Sequence, residues 1–495
     1  MFNVDLNKLV DIFRYNPAEA FLFNSSFFLF FLTGALLLYA FIRKYEPYKV
    51  AFLVLCSFYF YYKTNGLYLI LILTVVVIDY LAAHLIYKTV DKKMKKVWLV
   101  LSLVFDLGIL FYFKYTNFLL DLFFNVINRP FQPLDIMLPI GISFFIFQSL
   151  SYVIDVYRGK LEPLHRLIDY TFYVSFFPQL VAGPIVRAKD FIPQIHQSVP
   201  LTKEIWAEAF MLIVLGLFKK CIISDYISVN FVDRIFDAPT LYSGVENLFA
   251  VYGYAVQIYC DFSGYSDMAI GIALLFGYRF CINFNLPYRS ASVTEFWKRW
   301  HISLSTWLKD YLYISLGGNR KGKMRTYGNL MLTMLLGGLW HGASLRFILW
   351  GALHGVYLVT HKFLMSVFPS LKSNGAEMPL WQRVIGTVLT FHLICLGWIF
   401  FRAESMENGM GVLSQIFLHF NGSVFLPFVK EYSVILLLIG LCLIGQFIPE
   451  KVVGWSRQKV VDMSWQMKTL LLVLLIVLIA QVKSSELQPF IYFQF

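Results

Sequence analysis

The sequence predicts an all-α, polytopic membrane protein, and three observations carry that prediction. Of the 495 residues, 58% are hydrophobic and only 15% are charged, whereas a soluble domain carries about 25% charged residues. Uninterrupted apolar runs, several close to the roughly 20 residues that cross a bilayer, recur along the whole chain. Basic residues cluster in short segments between these runs, which is the positive-inside pattern of helical membrane proteins.

Thirteen apolar runs are candidate spans, and several are short or could split or merge. We therefore expect about 11–13 membrane-embedded segments. In chain order the runs are Phe21–Ile42, Val50–Lys63, Leu67–Tyr87, Val97–Tyr115, Ile136–Val156, Tyr170–Val186, Ile205–Leu217, Leu248–Phe276, Leu330–Trp340, Leu345–Phe363, Val384–Phe401, Tyr432–Phe447 and Met467–Val482. No polar stretch between them reaches the size of a domain, so a single integral membrane domain, 1–495, is expected.

Net charge and cysteine content exclude several classes of protein. The charge of +12 does not predict a nucleic-acid partner, because the basic residues lie in short loops such as those holding Lys219 and Lys220. Such loops favour anionic lipid head groups instead. The six cysteines are scattered without a C-x-x-C pair, so neither a disulfide framework nor a metal site is predicted.

The N-terminal residues 1–19 are too charged for a signal peptide. Leu6, Leu9, Val10 and Phe13 recur at helical spacing. That spacing predicts a short interfacial helix ahead of the first span. An extension of the first span by one turn fits the same residues.

The stretch Asn283–Tyr327 is too polar to span a membrane, yet it is rich in Trp and Tyr. From Arg289 to Arg325 it holds eight basic residues against two acidic ones. Ser292 or Thr294 is a candidate helix cap, and the Gly317–Asn319 segment ends the element. We predict an interfacial or re-entrant element. Its basic residues form a cytoplasmic-side loop or bind an anionic group of a donor, with candidates Lys298, Arg299 and Arg320.

Two histidines interrupt apolar surroundings, His301 within Glu295–Trp307 and His341 within Gly337–Gly342. Ionisable groups at membrane depth are costly and tend to mark function. Burial keeps an imidazole neutral, which is the state a general base needs. We predict His341 as the base and His301 as an orienting or charge-stabilising group. Neighbouring Trp340, Trp307 and Ser305 are candidate substrate contacts.

The alternative for any histidine on an apolar face is a hydrogen-bonded structural role. We assign that role to His354, His361 and His392, which carry no motif. For the polar segment Cys260–Asp267, with candidates Asp261, Tyr265 and Asp267, a functional role and a re-entrant turn with solvated carboxylates remain open. Gln148, near Ser149, Tyr152 and Asp155, is a further candidate for the same cavity.

At several motifs the chain closely resembles the membrane-bound O-acyltransferase family, in the branch of the alginate O-acetyltransferase membrane subunit. The resemblance is strongest over 136–402 and looser over the first spans (1–135) and the C-terminal spans (403–495). Its strings are Leu138–Ser143, Phe177–Ile185, Asp261–Asp267, Asn283–Tyr288, Phe296–Trp307, Leu316–Arg320, Gly337–Gly342 and Pro489–Phe495.

This resemblance implies a ring of tilted helices around a central tunnel, with re-entrant or interfacial helices. It implies that His341 is the catalytic histidine and that His301 occupies the second family position. Relatives take an acyl group from a cytoplasmic donor and pass it to an acceptor outside, so a bacterial inner-membrane location is expected. The donor would be acetyl-CoA or an acyl-carrier thioester, with no bound cofactor.

The implied acceptor is an alginate-like exopolysaccharide, with a separate periplasmic or extracellular acetyltransferase finishing the transfer. Two alternatives within the family are transfer of D-alanine to teichoic acid and of acetyl to peptidoglycan. Outside it, a polysaccharide transporter or a non-enzymatic scaffold remains an alternative. Neither paired half-helices nor an internal repeat supports the transporter.

Overall fold

The computed structural model describes residues 13–16, 21–181, 183–197, 200–368, 379–482 and 490–491. Regular structure within these ranges is helical, and no β-strand occurs in them. The all-α prediction is confirmed. The interfacial helix predicted within residues 1–19 and most of the C-terminal motif 489–495 lie outside the described residues, so both stay predictions.

The helices of the first half of the chain largely follow the apolar runs. Four of them, the helices at 116–126, 188–196, 225–227 and 233–237, lie outside every predicted run. In chain order they are α1 Ser26–Ile42, α2 Glu46–Asn65, α3 Leu69–Lys88, α4 Lys92–Leu110, α5 Thr116–Val126, α6 Ile142–Tyr157, α7 Leu167–Ser175, α8 Phe177–Leu180, α9 Ala188–His196, α10 Lys203–Leu217, α11 Asp225–Ile227, α12 Asp233–Asp237 and α13 Gly244–Leu275.

The second half begins with two short helices in the polar stretch and continues with longer ones. These helices are α14 Val293–Arg299, α15 Ile302–Trp307, α16 Lys323–His341, α17 Leu345–Val367, α18 Leu380–Arg402, α19 Met406–Leu418, α20 Phe425–Glu431, α21 Ser433–Gly445, α22 Glu450–Asp462 and α23 Trp465–Val482. Ser292 is the cap of α14, because its hydroxyl accepts from the Glu295 backbone N–H at 3.2 Å. Thr294 lies inside that helix.

Among the described residues, four helical stretches are long and apolar enough to cross a membrane. They are Glu46–Lys88, Lys92–Val126, Leu380–Arg402 and Trp465–Val482. Two bent pairs, α19 with α20 and α21 with α22, bring the number to six if each pair counts as one span. The pairs bend by 92° and 102°, as expected of broken spans or re-entrant segments. The ring of helices around a tunnel stays a prediction.

The described residues hold fewer complete spans than the 11–13 embedded segments that we expected. Breaks in the backbone interrupt several of the predicted runs. The predicted span Tyr170–Val186 becomes the short helices α7 and α8, with Pro178 at the start of the second. In the predicted span Ile136–Val156, helix begins only at Ile142, after Gly141 at φ 81°. A Cβ at Gly141 would lie 2.5 Å from the Leu180 carbonyl oxygen, so the residue must be glycine.

Four π-helical segments, Phe111–Tyr115, Phe218–Ser224, Ser228–Val232 and Leu308–Tyr313, interrupt or continue the α-helices. Segments of this kind are rare and often occur at functional sites. They shift the helix face by one residue, so a 3.6-residue pattern read from sequence loses register there. Lys219 and Lys220 lie in the second of these segments, so their assignment to a loop is wrong.

The chain divides into two compact units. The first comprises Met1–Ile213, Met268–Cys281 and Leu487–Gln494. Within it, a buried polar network joins α3, α4 and α6, since the hydroxyls of Ser102 and Ser149 both donate to the Asp79 carboxylate. The second comprises Val214–Asp267, Ile282–Glu486 and Phe495, and it contains both predicted catalytic histidines. The expectation of a single domain stays a prediction.

Apolar side chains also cover outward faces of the candidate spans. On α23, Leu470, Leu474 and Val477 are about half exposed. In water such a surface would be unstable, whereas lipid acyl chains accommodate it. The helices therefore have the outward composition of a membrane protein.

Candidate active site

Close contact between α16 and α17 places His341 at the end of α16. A Cβ at Gly338 would lie 2.2 Å from the Phe347 carbonyl oxygen, and a Cβ at Gly351 would lie 2.4 Å from that of Met334. Only glycine permits backbones to approach this closely. Gly342, at the turn, faces the Phe347 ring, which a Cβ would meet at 2.1 Å. The glycines around the Trp-His motif are therefore packing residues.

His341 is enclosed by aromatic rings. Its side chain is only 4% exposed. The rings of Trp340, Trp350 and Phe401 lie 5.0, 5.0 and 5.2 Å from the imidazole, centroid to centroid, all in edge-to-face arrangements. These rings and the low exposure leave the imidazole almost no contact with water.

His301 occupies a strained backbone position between α14 and α15. Its φ of 41° and ψ of 56° lie in the left-handed region, which a residue other than glycine rarely adopts. Strain of this kind concentrates at functional sites. His301 lies outside the candidate spans and is fully buried, and burial lowers its pKa to about 3. It is therefore neutral at neutral pH.

Asn283 determines which nitrogen of His301 carries the proton. Its side-chain oxygen accepts from the Ser303 backbone N–H at 3.2 Å and from the Ser303 hydroxyl at 2.9 Å, which establishes the orientation of the amide. The same oxygen lies 3.2 Å from His301 Nδ1. Because an amide oxygen only accepts, Nδ1 carries the hydrogen and Nε2 carries the lone pair.

The indole of Trp340 brings the two predicted catalytic histidines together. Its ring lies 6.0 Å from the His301 imidazole and 5.0 Å from that of His341. The two histidines are therefore close in space, although 40 positions separate them in sequence. We call His301, His341, Trp340, Trp350 and Asn283 the histidine–indole cluster.

Asn283, Trp350 and His354 are the members of this neighbourhood that sequence reasoning missed as functional candidates. Asn283 stands in a motif quoted for the family, but its bond to His301 crosses 18 positions. His354 received a structural role, yet its ring lies 4.6 Å from that of Trp350, four positions earlier on α17, and Trp350 also contacts His341. The contacts of Asn283 with His301 and of Trp350 with His341 form only in the tertiary structure.

Asp261 and Asp267 belong to a different arrangement, the lysine–aspartate cluster. Lys220 Nζ lies 2.6 Å from Asp261 and 2.8 Å from Asp225, and Lys219 pairs with Asp267. Both aspartates lie within the continuous helix α13, so the predicted re-entrant turn is wrong. Burying a carboxylate in a helix requires a counter-charge, which the π-helical lysines supply.

The remaining predicted site residues are more dispersed. Tyr265 is buried in α13. The Trp307 ring lies 5.2 Å from that of Tyr311, and the Ser305 hydroxyl donates to the Trp300 carbonyl at 3.1 Å. Gln148 lies in the first unit, where it donates to the Tyr173 carbonyl at 2.5 Å.

The three predicted donor-binding residues differ in their contacts with the rest of the protein and in their exposure. Arg299 pairs with Glu295 at 2.9 Å and donates to the Asn285 carbonyl at 3.1 Å. Lys298 and Arg320 are exposed. Within the described part of the chain, no three His, Cys, Asp or Glu side chains come together as a metal site requires.

Known proteins resemble this chain over most of its length. The family model of MBOAT, the membrane-bound O-acyltransferase family, matches residues 54–401, a range that includes both histidines. The probable alginate O-acetylase AlgI of Pseudomonas aeruginosa is 43% identical over 400 residues, which cover 80% of this chain and 74% of that protein.

Two further relatives carry different names. The peptidoglycan O-acetyltransferase of Helicobacter pylori is 38% identical over 422 residues, covering 79% of each chain. The teichoic acid D-alanyltransferase of Bacillus subtilis is 30% identical over 288 residues, covering 54% of this chain and 70% of that one. The chain belongs to the membrane-bound O-acyltransferase family and is an O-acyltransferase with several membrane spans.

Proposed function

We propose that the chain transfers an acetyl group from a thioester donor on the cytoplasmic side toward a cell-surface exopolysaccharide. The single observation that carries the proposal is the histidine–indole cluster, where one indole contacts both His301 and His341. Two buried imidazoles fit proton transfer to and from a hydroxyl or thiol. The 43% identity to a probable alginate O-acetylase favours acetyl and a polysaccharide.

In this mechanism His341 takes the proton of an acceptor hydroxyl, whose oxygen attacks the carbonyl carbon of the thioester. The tetrahedral intermediate collapses, the carbon–sulfur bond breaks, and the leaving sulfur takes the proton from the imidazolium. The lone pair on His301 Nε2 accepts a hydrogen bond from a second hydroxyl of the acceptor and orients the acceptor. Every proton and electron pair in this reaction comes from the acceptor, the thioester and His341, so the reaction needs no bound cofactor.

The donor in this proposal is acetyl-CoA or an acyl-carrier thioester, and the exposed Lys298 and Arg320 are its candidate contacts. A protein in the bacterial inner membrane would move only the acetyl group across the bilayer, while the hydrophilic donor stays in the cytoplasm. A periplasmic or extracellular acetyltransferase partner would then pass the group to the polymer.

A second candidate is acetylation of peptidoglycan, favoured by the relative of that name, which matches 79% of this chain. Transfer of D-alanine to teichoic acid has a more distant relative in its favour. A transporter or scaffold predicts that the histidines tolerate substitution. These candidates differ in the polymer and the acyl group that change when the protein is lost.

The test is the ester-linked acetate on each surface polysaccharide of the host, in wild type, a deletion strain and His341→Ala at matched membrane levels. Loss of acetate in both mutants supports the proposal, and the polymer affected identifies the substrate. Loss in the deletion alone refutes the role of His341. Unchanged acetate in both refutes acetyl transfer to these polymers.

A further inference from the structure

A buried N–H group of His354 lies beside the candidate active site without an acceptor. The indole N–H of Trp297 donates to His354 Nδ1 at 3.3 Å. Because an indole nitrogen only donates, Nδ1 carries the lone pair and the hydrogen is on Nε2. His354 is fully buried, and its Nε2 meets no hydrogen-bond partner among the described residues.

The indole N–H of Trp350 has the same character. Trp350 is 1% exposed, and its Nε1 likewise has no acceptor within the part of the chain that the structure describes. Its ring lies 4.6 Å from that of His354 and 5.0 Å from that of His341. Buried donors are normally satisfied, so two unsatisfied ones next to a catalytic histidine indicate a ligand.

Gly397 on α18 shows that the two donors converge. A Cβ at this position would lie 3.1 Å from His354 Nε2 and 3.5 Å from Trp350 Nε1. Both nitrogens therefore lie next to the same point on the α18 backbone, and a glycine there adds no side chain against them. We call His354 Nε2 and Trp350 Nε1 the two-donor site.

We propose that the two-donor site binds the carbonyl oxygen of the acyl group while His341 handles the proton. This inference rests on the proposed function. As the hydroxyl oxygen attacks the carbonyl carbon, the electron pair of the carbonyl moves to its oxygen, and two fixed N–H groups stabilise that negative charge. The pair returns when the carbon–sulfur bond breaks, and the sulfur leaves with the proton from His341.

The surroundings of the site favour an uncharged acyl group. The Trp297 ring lies 5.2 Å from that of His354, and the Trp398 ring lies 6.2 Å from that of Trp350. Aromatic walls and neutral donors suit a carbonyl with a small alkyl substituent, whereas a phosphate would require cationic partners. A single water would use the same two donors, and the experiment separates these occupants.

The experiment compares binding of acetyl-CoA with binding of CoA to the purified, full-length protein in lipid nanodiscs. CoA lacks the thioester carbonyl of the acetyl group, so a site for that oxygen affects acetyl-CoA alone. Trp350→Phe removes one donor and keeps most of the ring, and Gly397→Ala covers both donors with a methyl group. His361→Leu is the matched control, because this histidine lies on the same helix but contacts Thr294 at 2.9 Å.

We expect each of the two variants to weaken acetyl-CoA binding by roughly 3- to 10-fold, the range of one lost hydrogen bond, with CoA binding unchanged. Acetyl transfer should slow by about 100-fold, as for loss of one oxyanion donor. His361→Leu should change neither. Thermal unfolding of each protein confirms folding, and if Trp350→Phe does not fold, Gly397→Ala decides.

Unchanged affinity for acetyl-CoA in folded variants overturns the inference and leaves the proposed function intact, since the two donors then hold water or nothing. Equal weakening of both ligands also overturns it, because that result indicates a general packing defect. Failure of the wild type to transfer acetyl from any thioester overturns the proposed function and, with it, this inference.

Discussion

Two polar clusters in the second unit accommodate burial in opposite ways. In the lysine–aspartate cluster each charge has an opposite partner, as in the 2.6 Å pair of Lys220 and Asp261. In the histidine–indole cluster the polar groups are imidazole and indole rings and one amide, with contacts such as that of Asn283 with His301. The first cluster is held by ion pairs, whereas the second presents imidazoles, which can exchange a proton.

This difference distinguishes buried polar groups that stabilise the fold of a membrane protein from buried polar groups that take part in its chemistry. Breaking a buried ion pair leaves an uncompensated charge and costs stability. Replacing a neutral imidazole removes a proton acceptor and costs rate. Substitutions in the two clusters should therefore have opposite signatures in assays of stability and acyl transfer.

His341→Gln should have the largest effect of these substitutions, and the effect should be on the rate of acetyl transfer. Loss of the base should slow acetyl transfer by about 100- to 10,000-fold, while the temperature of unfolding changes little because glutamine fills similar space. Single-turnover transfer from a labelled thioester measures the rate. His392→Gln is the control, since that histidine is partly exposed and contacts Tyr252. Equal losses in both proteins would contradict the assignment of His341.

Lys220→Met should remove the ion pairs that Lys220 forms in the lysine–aspartate cluster. The Lys220 side chain is almost fully buried, so its removal takes the counter-charge away from Asp261, at a cost of about 3–5 kcal/mol in the free energy of unfolding. Denaturant unfolding in detergent measures this value. Adding Asp261→Leu should restore much of the stability, because the buried charge is gone. A stable single variant that transfers no acetyl group would mean that the lysine has a chemical role.

Asn283→Ala tests the orientation of His301. Without the amide oxygen, neither the tautomer nor the ring orientation is held, and we expect transfer to slow by roughly 10- to 100-fold, as when an orienting partner of a metal-ligating histidine is lost. Asn283→Asp should retain part of the activity, since a carboxylate also accepts from Nδ1.

The dependence of acetyl transfer on pH distinguishes Asn283→Asp from the wild type. A carboxylate beside His301 favours its charged form and raises its pKa, so the acidic limit of activity should move to higher pH in Asn283→Asp. The wild type, in which burial lowers that pKa, should hold its activity to lower pH. Identical profiles would show that His301 does not titrate in the reaction.

Ser292→Ala should have the smallest effect. Loss of the cap of α14 should reduce the free energy of unfolding by about 1 kcal/mol, without changing the acetyl-transfer rate. Thr294→Ala is the comparison, because Thr294 is not the cap and contacts His361 instead. If only Thr294→Ala destabilised the protein, the assignment of the cap would be wrong.

Local sequence determined the all-α membrane class and most helix positions, and it narrowed the cap of α14 to Ser292 or Thr294. It also marked His301 and His341, because a histidine in a polar interruption of an apolar chain is visible without any contact. These properties depend on hydrophobicity and short-range spacing, which neighbouring residues report directly.

Tertiary structure alone decided which polar groups meet. Lys219 and Lys220 looked like a cytoplasmic loop, but a π-helical segment turns them toward Asp267 and Asp261. His354 looked structural, but packing of α17 against α14 brings the Trp297 indole to its Nδ1. Such pairings join residues far apart in sequence, so they depend on helix packing and on register shifts at π segments, and no local pattern encodes either.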